Sequence, residues 1–213
     1  MSTKRFALIT EADARVLEPG STVELAPGGH ITPLAMDTLR ERRITVLRDD
    51  ILSVAESDLT PVCPIRTVAI GSDHAGIKLK GDLIARLRSG GIAVNDVGTH
   101  DTTPVDYPDI AARVAREVAT READAGIVID GAGIGSAIAA NKIDGIRAVM
   151  CADVTVARYA REHNGSNVLC LGASLLTIEQ ATEILDTWMR TAMREPRYIR
   201  RLAKIRALER NRR

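Results

Sequence analysis

GIVI at residues 126–129 runs directly into DGAGIGSAIAANK at residues 130–142, and this stretch decides the fold. The apolar run is typical of a short buried strand, and the alanine-rich segment after the glycines is typical of a helix. A strand, a glycine turn and a helix in this order let backbone N–H groups approach an anion or a developing oxyanion. Asp130 stands where the loop opens, which makes it a candidate base beside those donors.

The glycines of this loop follow a GxGxG pattern, whereas dinucleotide-binding turns follow GxGxxG. Asp130 precedes the loop. A dinucleotide site would also need a carboxylate at the end of the next strand to bind the ribose, and the sequence shows no clear candidate there. A nucleotide-binding module is therefore the less favoured interpretation. Two structural alternatives stay open at this point: the glycines can serve packing alone, and Asp130 can cap the following helix.

Composition and charge narrow the class of protein. The chain has 213 residues, 45% of them hydrophobic and only 2% aromatic, with a formal net charge of +1. This length accommodates one medium domain and a small one, with a core of Ala, Val, Ile and Leu that suits parallel strands covered by helices. The small net charge provides no overall field for nucleic acid, so no nucleic-acid partner is predicted.

The cysteines and the N-terminal residues point to an intracellular protein. Cys63, Cys151 and Cys170 are widely spaced, form no CxxC motif and show no metal-ligand spacing with the four histidines. We therefore expect reduced thiols, no metal site and a cytoplasmic location. Residues 1–6 lack the apolar core of a signal peptide, and no apolar run approaches the ~20 residues that span a bilayer, so no membrane partner is expected.

Strands and helices alternate from Thr67 onward. Five apolar strand candidates lie at residues 68–70, 92–97, 126–129, 147–151 and 168–171. The alternation predicts an α/β fold, a Rossmann-like doubly wound parallel sheet of five strands, in a domain of residues 66–213 that closes with a basic helix. In such sheets ligands bind beyond the carboxyl ends of the strands, where Asp73, His74 and Asp130 lie.

Residues 1–65 are predicted to form a small N-terminal α+β extension. Thr10 and Thr32 are candidates for helix caps, because each precedes a segment with helical spacing of apolar residues. A short strand is expected to end at residues 27–29, which read Pro-Gly-Gly. Residues 53–64 contain two prolines and several polar residues, and they are predicted to be a linker.

Four motifs of the second domain occur together in the order and spacing of one known family. GSDHAG at 71–76 follows the first strand, DYP at 106–108 precedes a helix, DGAGIGSAIAANK at 130–142 forms the loop, and REHN at 161–164 ends a helix. With two arginines of the basic tail, they resemble the ribose-5-phosphate isomerase B and galactose-6-phosphate isomerase family over roughly residues 66–210. The resemblance implies aldose–ketose isomerisation of a sugar phosphate without cofactor or metal. It also implies a homodimer, or a tetramer, whose sites are shared between subunits.

The resemblance implies roles for individual residues of these motifs. Asp73 and His74 correspond to the pair that meets the sugar and its phosphate, and Tyr107 corresponds to a wall of the pocket. His163 corresponds to the residue that helps to open the furanose ring, with Asn164 beside it. Asp73 and His163 therefore join the loop carboxylate as catalytic candidates.

The loop and the basic tail supply the remaining contacts that the resemblance implies. Arg197 and Arg201 correspond to the tail arginines that grip phosphate, and their spacing places them on one face of a helix. The planar guanidinium suits that task because it binds phosphate oxygens bidentately. The cradle for the enediolate oxygens comprises Gly131, Ala132, Gly133, Gly135 and Asn141.

The loop departs from the family in three places. A Cys is common in the family where Asp130 stands, another branch uses a Glu at the position of Ser136, and Ala132 replaces a hydroxyl residue. An Asp carboxylate is ionised at pH 7, and we expect partial burial to raise its basicity. We therefore predict that Asp130 replaces the Cys base and moves a proton between C1 and C2 through an enediolate. Ribose 5-phosphate, converted to ribulose 5-phosphate, is the first candidate substrate.

Two other functions stay open. The altered loop is also consistent with lost catalysis, which would leave a sugar-phosphate-binding or scaffold protein in a multienzyme assembly. The shorter reach of Asp is also consistent with a different substrate, such as a tetrose phosphate.

The first 60 residues carry a second, shorter resemblance. ITPLAMDTLR at residues 31–40 resembles small extensions on enzymes associated with bacterial microcompartments. This resemblance implies a shell protein or a partner enzyme as the binding partner of residues 1–60. It also implies a location inside such a compartment.

Overall fold

The computed structural model describes residues 4–48, 59–193 and 195–210. The chain divides into two compact units, Met1–Ser57 and Asp58–Arg213. This division falls inside the segment predicted as a linker and ahead of the predicted boundary at residue 65. Residues 53–58 of that linker lie outside the described residues.

The first unit is a three-stranded parallel sheet with two helices. Its elements are β1 (Arg5–Ile9), α1 (Glu11–Val16), β2 (Thr22–Ile31), α2 (Pro33–Glu41) and β3 (Thr45–Arg48), with the strand order β1-β2-β3. Thr10 caps α1 in a capping box with Asp13, and the Thr32 hydroxyl accepts the N–H of Ala35 at 3.3 Å at the start of α2. The two predicted helix caps are therefore confirmed.

The structure corrects two predictions for this unit. Both strand pairs are parallel and each helix connects neighbouring strands, so the unit is α/β rather than α+β. β2 does not end at residues 27–29 but continues to Ile31. The reason is pairing with β1, where Leu8 lies opposite His30 and Ile9 opposite Ile31 after a register shift. A strand tolerates proline at such an irregularity, although proline lacks the ladder donor.

The second unit contains the longer alternation of strands and helices. Its elements are β4 (Thr67–Ser72), a short 3₁₀ turn (His74–Gly76), α3 (Ile77–Ser89), β5 (Ala93–Asp96), α4 (Tyr107–Ala119), β6 (Ala125–Asp130), α5 (Ile134–Ala140), β7 (Ala148–Met150), α6 (Val154–Glu162), β8 (Val168–Gly172), α7 (Ile178–Arg190) and α8 (Pro196–Arg210). The five strands are all parallel, in the order β5-β4-β6-β8-β7. The predicted five-stranded parallel α/β sheet is therefore confirmed.

Helices cover both faces of this sheet. One buried cluster joins the strands to apolar residues of α3, α6 and α7, including Leu83, Ala160 and Trp188. A second cluster joins the other face to α4 and α5 through residues such as Val114 and Ala140. Strands buried on both faces read as continuous apolar runs, which explains the sequence of β6. No helix among the described residues is long and apolar enough to cross a membrane.

The end of the predicted linker is part of the second unit, where the buried Arg161 and the partly buried Arg147 bind it. Arg161 of α6 is 0% exposed, and its guanidinium donates to the carbonyl oxygens of Val62 at 2.8 Å and Ser166 at 2.7 Å. Arg147 donates to the carbonyl oxygen of Leu59 at 3.1 Å. Burial lowers the pKa of each arginine to about 10, so both stay charged at neutral pH.

Candidate functional site

The carboxyl edge of the five-stranded sheet has a switch point between β4 and β6. From β4 the chain crosses to β5 on one side, and the next strand, β6, lies on the other side of β4. Open α/β sheets bind ligands at such a point. Asp73 directly follows β4, and its N–H donates to the carbonyl oxygen of Ile129 near the end of β6 at 3.0 Å. The backbones of Asp73 and Asp130 are therefore neighbours at the carboxyl edge of the sheet.

The Asp130 carboxylate is buried, with 5% exposure, and accepts four hydrogen bonds from its own loop. Oδ1 accepts the N–H of Ala132 at 2.8 Å and the N–H of Gly133. Oδ2 accepts the N–H of Ser136 at 3.0 Å and the Ser136 hydroxyl. A carboxylate offers about four lone-pair sites, so these donors occupy them all. The carboxylate therefore binds the loop to the first turn of α5, as a helix cap would.

These contacts correct the prediction that burial makes Asp130 more basic. Burial does act to raise the pKa of the carboxyl group. The hydrogen bonds from the Ser136 hydroxyl and from the N–H groups of Gly133, Ala132 and Ser136 outweigh it, so the pKa is lowered from its ordinary value. Each donor stabilises the ionised form of the carboxyl group.

The same contacts correct part of the predicted cradle. The N–H groups of Ala132 and Gly133 do not face a substrate oxygen, because they donate to Asp130. Gly131 and Gly135 carry N–H groups of the predicted cradle that this carboxylate does not use.

Asn141 is also separated from the cradle. It lies at the C-terminal end of α5, about 10 Å along the helix from the loop. Its amide donates to the carbonyl oxygen of Ala148 and accepts the N–H of the same residue, each at 2.8 Å. The side chain therefore joins α5 to β7, which corrects its predicted place beside the substrate.

Three other predicted residues lie at the carboxyl edge. Tyr107 begins α4, and a Cβ placed on Gly135 would lie 2.5 Å from its ring, so only glycine permits this close approach. Asp73 is buried, and its Oδ1 accepts the N–H groups of Ala75 at 2.9 Å and Gly76 at 3.1 Å. His74 follows it and is exposed. An acid, a histidine and a phenol thus lie at the same edge of the sheet as the glycine loop.

His163 lies at the opposite edge of the same sheet. α6 runs from the carboxyl end of β7 back to the start of β8, and His163 caps its C-terminus. The five residues of β8 span about 15 Å, so within one chain His163 and Asn164 are separated from the glycine loop. One chain therefore holds the predicted site in two halves.

Aromatic rings fix the orientation of His163. Its ring stacks on Tyr159, with centroids 4.6 Å apart, and on Tyr198, with centroids 4.7 Å apart. The guanidinium carbon of Arg201 lies 5.6 Å from the centre of the Tyr198 ring. Tyr159, His163, Tyr198 and Arg201 are called the amino-edge cluster below. The side chain of Arg197, in α8, lies outside the described part of the structure.

Sequence reasoning missed three contributors to these two half-sites. Ser136 was identified only as a position where a family base is absent, and its bond to the loop carboxylate depends on the fold of the turn. Tyr159 could have been found from its spacing of four residues before His163 on one helix face. Tyr198 lies far from His163 in sequence, and no local pattern connects the two.

Gly133→Ala is expected to destabilise the second unit strongly. Gly133 has φ +76°, and an added Cβ would lie 2.9 Å from the backbone carbon of Leu171 in β8, which cannot move aside. Gly145→Ala is the matched control, because Gly145 has φ +81° and open space around it. Both variants carry the left-handed backbone penalty of about 1–2 kcal/mol, and Gly133→Ala should lose roughly 2 kcal/mol more through the backbone contact. Urea unfolding measures both, and equal losses would contradict the close approach.

Comparisons with known proteins show the family of this chain. The sequence model of the Ribose/Galactose Isomerase family matches residues 68–205. Ribose-5-phosphate isomerase B of Escherichia coli (strain K12) is 40% identical over 148 residues, which are 70% of this chain and 99% of that protein.

Solved structures give the same result. Ribose-5-phosphate isomerase B of Clostridium thermocellum is 43% identical with a TM-score of 0.67, over 68% of this chain and 98% of that one. The Mycoplasma genitalium enzyme with bound ribulose-5-phosphate is 34% identical with a TM-score of 0.65, over 68% and 96%. The match covers nearly the whole of each relative and about two thirds of this chain. The chain therefore belongs to the ribose/galactose isomerase family.

Proposed function

We propose that this protein interconverts an aldose phosphate and a ketose phosphate, with ribose 5-phosphate and ribulose 5-phosphate as the first pair. The observation that carries the proposal is the meeting of Asp73, Asp130, Tyr107 and the glycine loop at the switch point of a sheet of this family. The relatives named above support the choice of substrate.

The reaction needs a base near C1 and C2 and donors for the negative charge on oxygen. Asp130 is the candidate base by position: it takes the proton from C2 of the open aldose, and the C–H electron pair enters the enediolate. The hydroxyl proton of O2 passes to O1, and Asp130 returns its proton to C1, which leaves the carbonyl group at C2 and a neutral hydroxyl at C1. The N–H groups of Gly131 and Gly135 are the candidate donors to the enediolate oxygens, with Asp73 and His74 on the sugar. In water enriched with deuterium, this route exchanges the proton at C2, which NMR detects.

A second function has one observation in its favour. The four hydrogen bonds to Asp130 occupy its lone pairs, which weakens it as a base. A sugar-phosphate-binding protein without turnover would tolerate this arrangement. The exchange experiment separates the two functions, because a binding protein gives a measurable Kd for ribose 5-phosphate without exchange at C2. A panel of tetrose, pentose and hexose phosphates in the same assay identifies the preferred sugar.

We further propose a homodimer in which each site combines the glycine loop of one subunit with the amino-edge cluster of the other. The distance of about 15 Å between the two half-sites along β8 supports this arrangement. Ile134 and Ile138 support it too, because they are 55% and 59% exposed on one face of α5 beside the loop. His163 would then assist ring opening, and Arg201 with Arg197 would bind the phosphate, from the neighbouring subunit.

Mixing two inactive variants is expected to restore activity if the sites are shared. Asp130→Asn removes the candidate base, and His163→Ala removes the candidate ring-opening group. A heterodimer of the two has one site with both changes and one with neither. Co-expression with two different tags, tandem purification and an isomerase assay measure the recovery. A heterodimer as inactive as its parents would contradict the shared site. The control is an Asp130→Asn dimer whose two subunits carry the two different tags, prepared in the same way.

The role of residues 1–60 stays a prediction. Most of these residues belong to the first unit, Met1–Ser57, whose parallel three-stranded sheet is suited to act as a separate docking module. We propose a microcompartment shell protein or partner enzyme as its target, and capture of shell proteins by these residues on a reporter is the test.

A further inference from the structure

Ser136 contacts the Asp130 carboxylate twice and is fully buried. Its N–H and its hydroxyl both donate to Oδ2, while the other oxygen accepts the N–H groups of Ala132 and Gly133. Three of these four donors are backbone groups, which any residue except proline supplies. The hydroxyl is the only one of the four that depends on the residue type.

We infer that Ser136 is a positioning residue for Asp130: its hydroxyl holds the carboxylate in the loop and sets how readily that carboxylate takes up a proton. This inference concerns the contact between the two side chains, and its catalytic meaning rests on the proposed function.

The hydroxyl can also follow the proton through the reaction. When a proton moves from the substrate carbon to Oδ2 of Asp130, the C–H electron pair passes into the enediolate and the carboxyl oxygen becomes a donor. A backbone N–H cannot accept that hydrogen bond, whereas the Ser136 hydroxyl can turn and accept it. When the proton passes to the neighbouring carbon, the hydroxyl turns back and donates again.

The two forms of Asp130 do not depend equally on this hydroxyl. A hydrogen bond to an ionised carboxylate is roughly twice as strong as one between neutral groups. Removing the hydroxyl therefore costs the ionised form more than the protonated form. In Ser136→Ala the pKa of Asp130 should rise, by about one pH unit if one charge-assisted bond is lost.

Ser72→Ala is the matched control. Ser72 at the end of β4 is also fully buried, and its hydroxyl has no hydrogen-bond partner in the described part of the protein. The two variants remove the same atom from fully buried positions, Ser72 at the end of β4 and Ser136 in the first turn of α5, and only the Ser136 hydroxyl donates to Asp130. Ser72→Ala should leave the titration of Asp130 unchanged.

The experiment is a ¹³C NMR titration of carboxyl-labelled aspartate in the full-length protein, with the Asp130 signal assigned by its loss in Asp130→Asn. It runs over the pH range in which Trp188 fluorescence reports a folded second unit. The pH profile of kcat/KM for ribose 5-phosphate is measured beside it. The expected result is an upward move of the Asp130 titration in Ser136→Ala alone, with the acid limb of kcat/KM moving by the same amount.

The outcomes separate this inference from the proposed function. An Asp130 titration that moves while the acid limb stays fixed supports the role of Ser136 and removes Asp130 as the base. A titration that is unchanged in Ser136→Ala, or that moves equally in Ser72→Ala, overturns the inference whatever the activity. If Ser136→Ala does not fold, Ser136→Cys takes its place, because a thiol is a weak donor and should move the titration in the same direction.

Discussion

Asp130→Asn should reduce kcat/KM for ribose 5-phosphate isomerisation by about 10²–10⁴-fold, the usual contribution of a positioned base. The substitution keeps the size of the side chain and removes its ability to take up a proton. Proton exchange at C2 in heavy water should fall with it, because exchange reports the same transfer. Coupled isomerase assays and NMR exchange measure the two effects independently.

Control measurements must separate lost chemistry from a disturbed loop. An amide at position 130 can still accept the N–H groups of Ala132 and Gly133, but its NH₂ group faces the N–H of Ser136, which leaves one buried donor unpaired at a cost of about 1–3 kcal/mol. Unfolding by Trp188 fluorescence measures that cost, and the Kd for ribose 5-phosphate shows whether the site survives. Near-normal exchange at C2 in a folded variant would remove Asp130 as the base.

Asp130→Cys is a useful companion, because the family commonly has Cys at this position. A thiol accepts hydrogen bonds weakly, so it would leave the N–H groups of Ala132 and Gly133 available to a substrate oxygen. Retained activity in this variant with loss in Asp130→Asn is the pattern expected of a base. Equal loss in both is the pattern expected of a residue that serves only to hold the loop.

Arg161→Ala is expected to destabilise the second unit by about 3–5 kcal/mol. The guanidinium donates to carbonyl oxygens of Val62, Ser166 and Thr191, and its central carbon lies 4.8 Å from the centre of the Trp188 ring. No carboxylate takes part in these contacts, so backbone dipoles and an aromatic face stabilise the charge. Arg suits such a place because its charge is delocalised and weakly hydrated. Truncation leaves three carbonyl oxygens without their donor, the one of Ser166 in a buried bond and the other two partly buried, and it leaves a cavity beside the indole.

Urea unfolding tests this expectation cleanly. Trp188 is the only tryptophan of the chain and is buried in the second unit, so its fluorescence follows that unit without interference from the first. Arg158→Ala is the control, since Arg158 is an exposed arginine on the same helix and should change stability by less than about 0.5 kcal/mol. A similar small change in Arg161→Ala would show that the buried guanidinium contributes little.

The sequence predicted much of the fold, because the features it used are local. Helix caps such as Thr10 and Thr32 act within one turn, and the alternation of apolar strands with helices fixes a parallel sheet through the crossover rule. Once the sheet is parallel, residues that follow its strands meet at the carboxyl edge. The placement of Asp73 and Asp130 beside each other follows from that geometry.

Local sequence patterns did not predict the hydrogen-bonding partner of a residue that had several possible partners. Asp130 was expected to become a stronger base through burial, but the turn directs four donors at it, and only the folded loop shows their number. The side-chain amide of Asn141 could hydrogen-bond to a substrate, yet both of its polar groups bond to the backbone of Ala148 at the start of β7. Likewise, β2 continues through residues 27–29, a Pro-Gly-Gly sequence that usually ends a strand, because it pairs with β1.

By itself the sequence determined the parallel α/β sheet, the glycine loop at its switch point and the family of the chain, because periodicity, caps and motifs are written in neighbouring residues. Only the tertiary structure decided which groups donate hydrogen bonds to Asp130, which rings stack on His163, and that these two residues lie at opposite edges of one sheet. Some of these contacts join segments distant in sequence, as His163 with Tyr198 and Arg161 with Val62 do. Even the local bonds to Asp130 depend on the folded turn, because their energies are set by burial and direction, which no local pattern contains.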